Sequence, residues 1–275
     1  MGFWERIANI DRRWIYLLVA LSVTLPMIIA MKFPIGLTPE AKQLFNAIDA
    51  LPDSSAVMLT FDYYPSTIAE TEPMSVAALR HMFSKDMHVL TVSNIPLGGP
   101  SIAERVTRAV AAEFGKEYGI DYVNLGYRAN YVAVMHGLAS SIESIFMSDN
   151  TGTPLRELPM MQNIKNYDDL DFIYVVADNA TVDYWISIVN AQYDIRVGSG
   201  VTAVVAPKMY AFVESGQMTG LLGGMKGAAE YEKLLGKKGT ATRGMDSQSL
   251  VHLLVIFFVI VGNIGYFASR KKEKK

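Results

Sequence analysis

Asp62-Tyr63, Ser93-Asn94, Asn124, Gly126-Tyr127, Asp178-Asn179 and Gly223-Gly224 each end or follow an apolar run that reads as a β-strand. In parallel α/β sheets, ligands bind in the crevice outside the carboxyl ends of the strands. Polar groups at several consecutive strand ends are what a small-molecule site there requires. The same residue types also end strands because they form turns and cap helices, so the pattern permits a crevice without demanding one. The sharpest local signal is Leu221-Leu222-Gly223-Gly224-Met225-Lys226-Gly227. Glycines between a strand and a helix expose backbone N–H groups at the helix N-terminus, where an anion can dock beside Lys226. The segment matches neither the Walker pattern nor G-x-G-x-x-G, and glycines serve equally for tight strand–helix packing. Gly98-Gly99 is a weaker version, because Pro100 removes a donor. Asp62, Tyr63, Ser93, Asn94, Asn124, Tyr127, Asp178, Gly223, Gly224 and Lys226 are the candidate ligand-binding residues.

Other chemistry is thinly represented. The chain has no cysteine, which removes disulfides, thiolate nucleophiles and Cys-ligated zinc. His81, His88, His136 and His252 fall at no recurring ligand spacing, so no metal site is expected. Asp168, Asp169 and Asp171, with Glu157 upstream, lack the EF-hand spacing and read as a solvated loop. No G-x-S-x-G elbow occurs, and Ser199, between Gly198 and Gly200, precedes the strand predicted from Val201 instead of following one. No catalytic residue is assigned and no cofactor is implied. Were the protein an enzyme, Asp62 or Asp178 would be the general base, with a pKa raised by burial. Asn179-Ala180-Thr181 is a glycosylation sequon, relevant only where exported proteins are glycosylated. A net charge of −2 offers no basic field to nucleic acid.

The elements that must position these residues alternate along the chain. Strands are predicted at 56–61, 88–92, 120–125, 172–176, 201–206 and 219–222. Helices are predicted from Pro39 behind an N-cap Thr38, at 73–83, from a Ser101/Glu104 capping box, at 129–138, from Thr181 to Ala191, at 208–214 and at 226–235. Near-continuous apolar strands alternating with helices imply a mostly parallel, doubly wound sheet, Rossmann-like or flavodoxin-like. The pattern is similar at fold level to periplasmic ligand-binding domains, and fold does not decide function.

The two ends read as membrane spans. Residues 14–31 carry no charge over 18 positions, with Trp14 and Tyr16 at the inner end and Pro26 near the outer. No small-x-small site suits cleavage as a signal peptide. Residues 250–269 form a second apolar run, followed by the basic cluster 270–275. Arg6, Arg12 and Arg13 flank the first span inside, and only Lys32 and Arg243 lie just outside the two. The positive-inside rule then places both termini in the cytoplasm and the α/β domain outside. Residues 1–13 read as an interfacial amphipathic helix, residues 32–235 as the domain, and residues 236–249 as a flexible tether. Gly262, Asn263 and Gly265 are the candidate contact residues within the membrane, combining small side chains with one amide.

The expected function follows from attachment more than from chemistry: a membrane-anchored, non-enzymatic subunit in a homo-oligomer or beside another membrane protein. The expected partners are therefore the lipid bilayer and such a membrane protein. The chain's 15 Met, Met160-Met161 and Met209 among them, suit an adaptable contact surface or an ordinary core. The alternatives are a ligand-binding or sensing domain using the crevice, and a membrane-tethered enzyme of the cell envelope.

Overall fold

The apolar runs become strands of one parallel sheet in a computed structural model of the chain. The structure describes residues 11–29, 31 and 33–273, with side chains as far as Phe267. The expected interfacial helix over 1–13 falls almost wholly outside the described residues, as do Lys32 and the last two lysines. The chain divides into two units, Ile35–Ala241 and the two ends together.

In the larger unit, β1 (Ala56–Asp62), β2 (His88–Ser93), β3 (Tyr122–Tyr127), β4 (Phe172–Ala177), β5 (Val197–Val201) and β6 (Leu221–Gly223) pair in the order β3-β2-β1-β4-β5-β6. Every pairing is parallel. This is the Rossmann-type order, and it settles the alternative against a flavodoxin-like sheet. The order reverses between β1 and β4, so the crevice position lies beside Asp62 and Ala177, which are paired in register. All six residues of β4 are buried, as a strand covered on both faces must be.

One face of the sheet carries α2 (Pro39–Asp49), α3 (Ile68–Ser84), α4 (Gly99–Glu113) and α8 (Gly224–Leu234), which pack on one another in turn. The other carries α5 (Tyr131–Ser140), α6 (181–193), α7 (Ala206–Glu214) and a run of short 3₁₀ turns. Beneath this second layer, Met58, Leu90, Val123, Ile173 and Val175 meet Met135, Trp185, Val189 and Met209 in one buried cluster. Met160, Met161 and Met209 are part of that core, the second of the two uses open to them.

Three local expectations change. The Ser101/Glu104 capping box does not form. Gly98 caps α4 with a left-handed backbone, φ +88°, that only glycine adopts without strain, and Glu104 instead pairs with Arg108 and accepts from Asn124 Nδ2. The strand expected at 201–206 lies at 197–201, and Ser199 sits within it, donating to Val175 O at 2.9 Å. Residues 240–249 are helical and belong to α9 (Thr240–Glu273), where a flexible tether was expected. α6 contains a π-helical turn, Trp185–Asn190, that turns Trp185 into the core.

In the unit formed by the ends, α1 (Arg12–Ile28) and α9 pack antiparallel, with Ser247 Oγ donating to Val23 O at 3.0 Å. The less exposed positions of α1 are Ile15, Val19, Ser22 and Pro26. On α9 most positions up to Val251 are at least half-buried, Ser247 among them, and beyond it the less exposed ones are Leu254, Phe258, Val261 and Gly265. Alternating steps of four and three mark a single seam on each helix. Among the described residues one helix is long and apolar enough to cross a membrane, over Thr240–Phe267. α1, with 17 helical residues and a proline inside its last turn, falls short of that length, so the expected pair of spans is not established. Of the three expected contact residues, only Gly265 is buried. Gly262 has nothing within 4 Å of a would-be Cβ, and Asn263 is exposed.

Candidate functional site

The sheet does bring the predicted residues of β1, β2 and β4 together, and it uses them on one another. Asp62 is fully buried. Its Oδ1 accepts from Asn94 N at 2.7 Å, and its Oδ2 accepts from Asn94 Nδ2 and Trp185 Nε1, each at 3.0 Å. Burial pushes the Asp62 carboxyl above its ordinary range, against the pull of these donors. Asp178 accepts from Tyr64 N at 2.9 Å and Thr67 Oγ1 at 2.7 Å, fixing the turn after β1. Asn179 Nδ2 donates to Asp62 O and to Asp178 Oδ1, so the amide nitrogen that a glycan would need is already engaged. Asp62 faces no open space as a general base would, and Asp178, half-buried, is engaged by the turn after β1.

The others are equally committed. Tyr63 is buried with its hydroxyl 3.3 Å from Ser75 Oγ. Ser93 Oγ donates to Phe61 O at 2.6 Å and lies so close to Gly99 that a side chain there would collide. Asn124 donates to Pro100 O and accepts from Gly126 N, bracing the β3 end. Tyr127 is half-buried at that end, apart from the Asp62 cluster. The Gly223-Gly224 turn, with Gly224 at φ +61°, rests against Ala203. Lys226 pairs with Glu230, a nearly inaccessible carboxylate that also accepts from Thr38 Oγ1 at 2.5 Å. An anion at this helix start would compete with a buried charge for the same lysine. Gly227 allows α8 to lie directly on the Leu222 backbone, the packing use of glycine.

Trp185 carries no local sequence signal, because its partner is 123 residues away. Sequence reasoning also missed a cavity of about 270 Å³ beyond β4 and β5, lined by Asn179, Ala180, Asp183, Val204, Val205 and Lys208. Pro207 is the signal that could have found it, because proline at a helix start ends the preceding strand early and leaves 202–205 as loop. The charges of this cavity, Lys208 and Asp183, pair at 2.7 Å. No group of three or more His, Asp or Glu suited to a metal occurs among the described residues. The acidic loop is spent on backbone: Asp169 completes a capping box with Asn166, and Asp171 accepts from Ala56 N.

His81 is another buried titratable group with polar partners. It joins α2, α3 and α8: Nδ1 lies 2.8 Å from Tyr231 OH, Nε2 lies 3.3 Å from the exposed Asp49, and the ring stacks on Phe45 at 4.5 Å. Burial lowers its pKa below 6.5, opposed by Asp49. The unfolded chain therefore binds the proton first, and stability is lost as pH falls from 6.5 through the lowered folded value. Urea midpoints measured from pH 7.5 to 5 should fall across that window. His81→Gln should flatten this limb, and an unchanged slope would exclude His81 as its source.

No known protein family matches the chain, and no curated protein or solved structure is significantly similar to it.

Proposed function

We propose that this chain is a membrane-anchored, non-catalytic subunit of a membrane protein assembly, its α/β unit displayed outside the membrane and both termini in the cytoplasm. The observation that supports this most is the spending of polar groups at the strand ends. Where a ligand or substrate would sit, Asp62, Asn94, Asp178, Asn179 and Trp185 satisfy one another. The same end of the sheet exposes apolar groups instead: Tyr64, Leu97, Tyr184 and Val204, the last at 89%. The chain enters and leaves the α/β unit beside the C-terminal end of α8, where Lys233 donates to Ile35 O and Glu232 accepts from Ala241 N. α8 starts at the strand-end side and runs away from it for 11 residues, about 16 Å. Within the unit, the apolar loops thus lie at the opposite end from residues 35 and 241, and exposed apolar loops of this kind suit a protein partner.

The test is the particle extracted in mild detergent and weighed by light scattering. We expect a mass above that of one 30.4 kDa chain, through copies or a co-purifying protein. A lone monomer without a partner would overturn the reading. The cavity of about 270 Å³ supports a second reading, a small-molecule binding domain. A thermal shift with anions, nucleotides or sugars that disappears in Val204→Trp would favour it.

A further inference from the structure

The seam divides α9 into two faces of different character. One face, carrying Ser247, Val251, Leu254 and Phe258, faces α1, and Val261 and Gly265 continue the same stripe past the level of Arg12. Between residues 251 and 267 the polar side chains are His252, Asn263 and Tyr266. At 100° per residue these three fall within an arc of about 60°, turned more than 90° from the seam. All three are exposed; Val259 lies within that arc, and the exposed Val255 and Gly262 border it on the side nearer the seam. Asn263 Nδ2 donates to Val259 O of its own helix at 2.8 Å, which uses one of its two N–H groups and leaves Oδ1 without a donor. In hydrocarbon an amide in that state is costly, and membrane helices relieve it by bonding to a neighbour.

Resting on the membrane-subunit reading above, we propose that α9 forms a parallel pair with α9 of a second copy of this chain, through the face of Val255, Val259, Gly262, Asn263 and Tyr266. The occupant is argued from complementarity. A primary amide carries both a donor and an acceptor, so two Asn263 side chains satisfy each other. Two copies inserted in the same sense hold Asn263 at the same depth, which an unrelated helix does only if it carries a polar group at that level. A two-fold axis along the pair makes the contact self-complementary and closed. Gly262, with nothing within 4 Å, gives the room for close approach. The α1 seam is undisturbed, because it uses the other face.

The absence of cysteine makes the test direct. Single cysteines are placed in the full-length chain in phosphatidylcholine vesicles and oxidised. Val255→Cys, Val259→Cys and Gly262→Cys should give disulfide-linked dimers, and Leu254→Cys and Phe258→Cys should not. Asn263→Leu should weaken self-association, read by energy transfer between labelled copies, by about 3- to 30-fold, and Asn263→Gln should restore most of it. Cross-links that favour the seam positions, or an Asn263→Leu variant that associates as tightly as the parent, would overturn the pairing while leaving the subunit reading intact. Absence of any complex would remove both.

Discussion

Asp62→Ala should cost the α/β unit about 3–5 kcal/mol, because it strands three buried donors at once. The donors are Asn94 N, Asn94 Nδ2 and Trp185 Nε1, from β2 and from α6. All three are buried, Trp185 at 1% exposure and Asn94 at 5%. Asp62→Asn keeps the shape and one acceptor, and should cost less than the alanine. Trp185 is the only tryptophan in Ile35–Ala241, so its fluorescence reports the same contact during urea unfolding. A loss below about 1 kcal/mol, within the range of an ordinary surface substitution, would show that these bonds are not needed. The result also bears on function: a residue that holds two layers together is a poor choice for a base that must change its protonation during turnover.

Gly220→Val should be as damaging by the opposite route. A Cβ at Gly220 would lie 2.4 Å from Leu44 N and 2.7 Å from Leu44 Cα. These are backbone atoms of α2, so no rotamer change relieves the clash, and the helix must lift from the sheet. We expect a loss of about 3 kcal/mol or more. Gly36→Val is the control, since nothing lies within 4 Å of that position. Equal urea midpoints for the two variants would mean that α2 is not docked as described.

How far the sequence carried the fold can be judged strand by strand. β1, β2 and β4 are near-continuous apolar runs, and burial on both faces demands that composition. β5 reads Val-Gly-Ser-Gly-Val and carries no such mark. Its glycines answer to partners far away: a side chain at Gly198 would meet Leu44 and Phe172, and one at Gly200 would meet Tyr174 and Met74. Strand order was likewise hidden, because it depends on which crossover goes which way. At the candidate site the right residues were legible as strand ends, while their use was not. Asp62 and Asp178 are polar for the sake of the turns and helices around them, a demand visible only once β1, β2, β4 and α6 converge. In the apolar run 250–269 the composition was plain, while the burial of Gly265 next to exposed Gly262 and Asn263 was not.

The bond between Ser247 and Val23 also fixes a depth. Eleven residues separate Arg12 from Val23 on α1, a fall of about 16 Å, which on α9 reaches Phe258. Arg12 and Arg13 therefore stand level with the middle of the apolar run 250–269. A bilayer centred on that run would draw both guanidinium groups toward hydrocarbon, at about 3 kcal/mol each on insertion scales. Bringing the centres of the two apolar stretches level requires α1 to slide inward by roughly 18 Å along α9. On the proposed two-span reading, protein contacts and lipid thus ask for different registers of one helix pair.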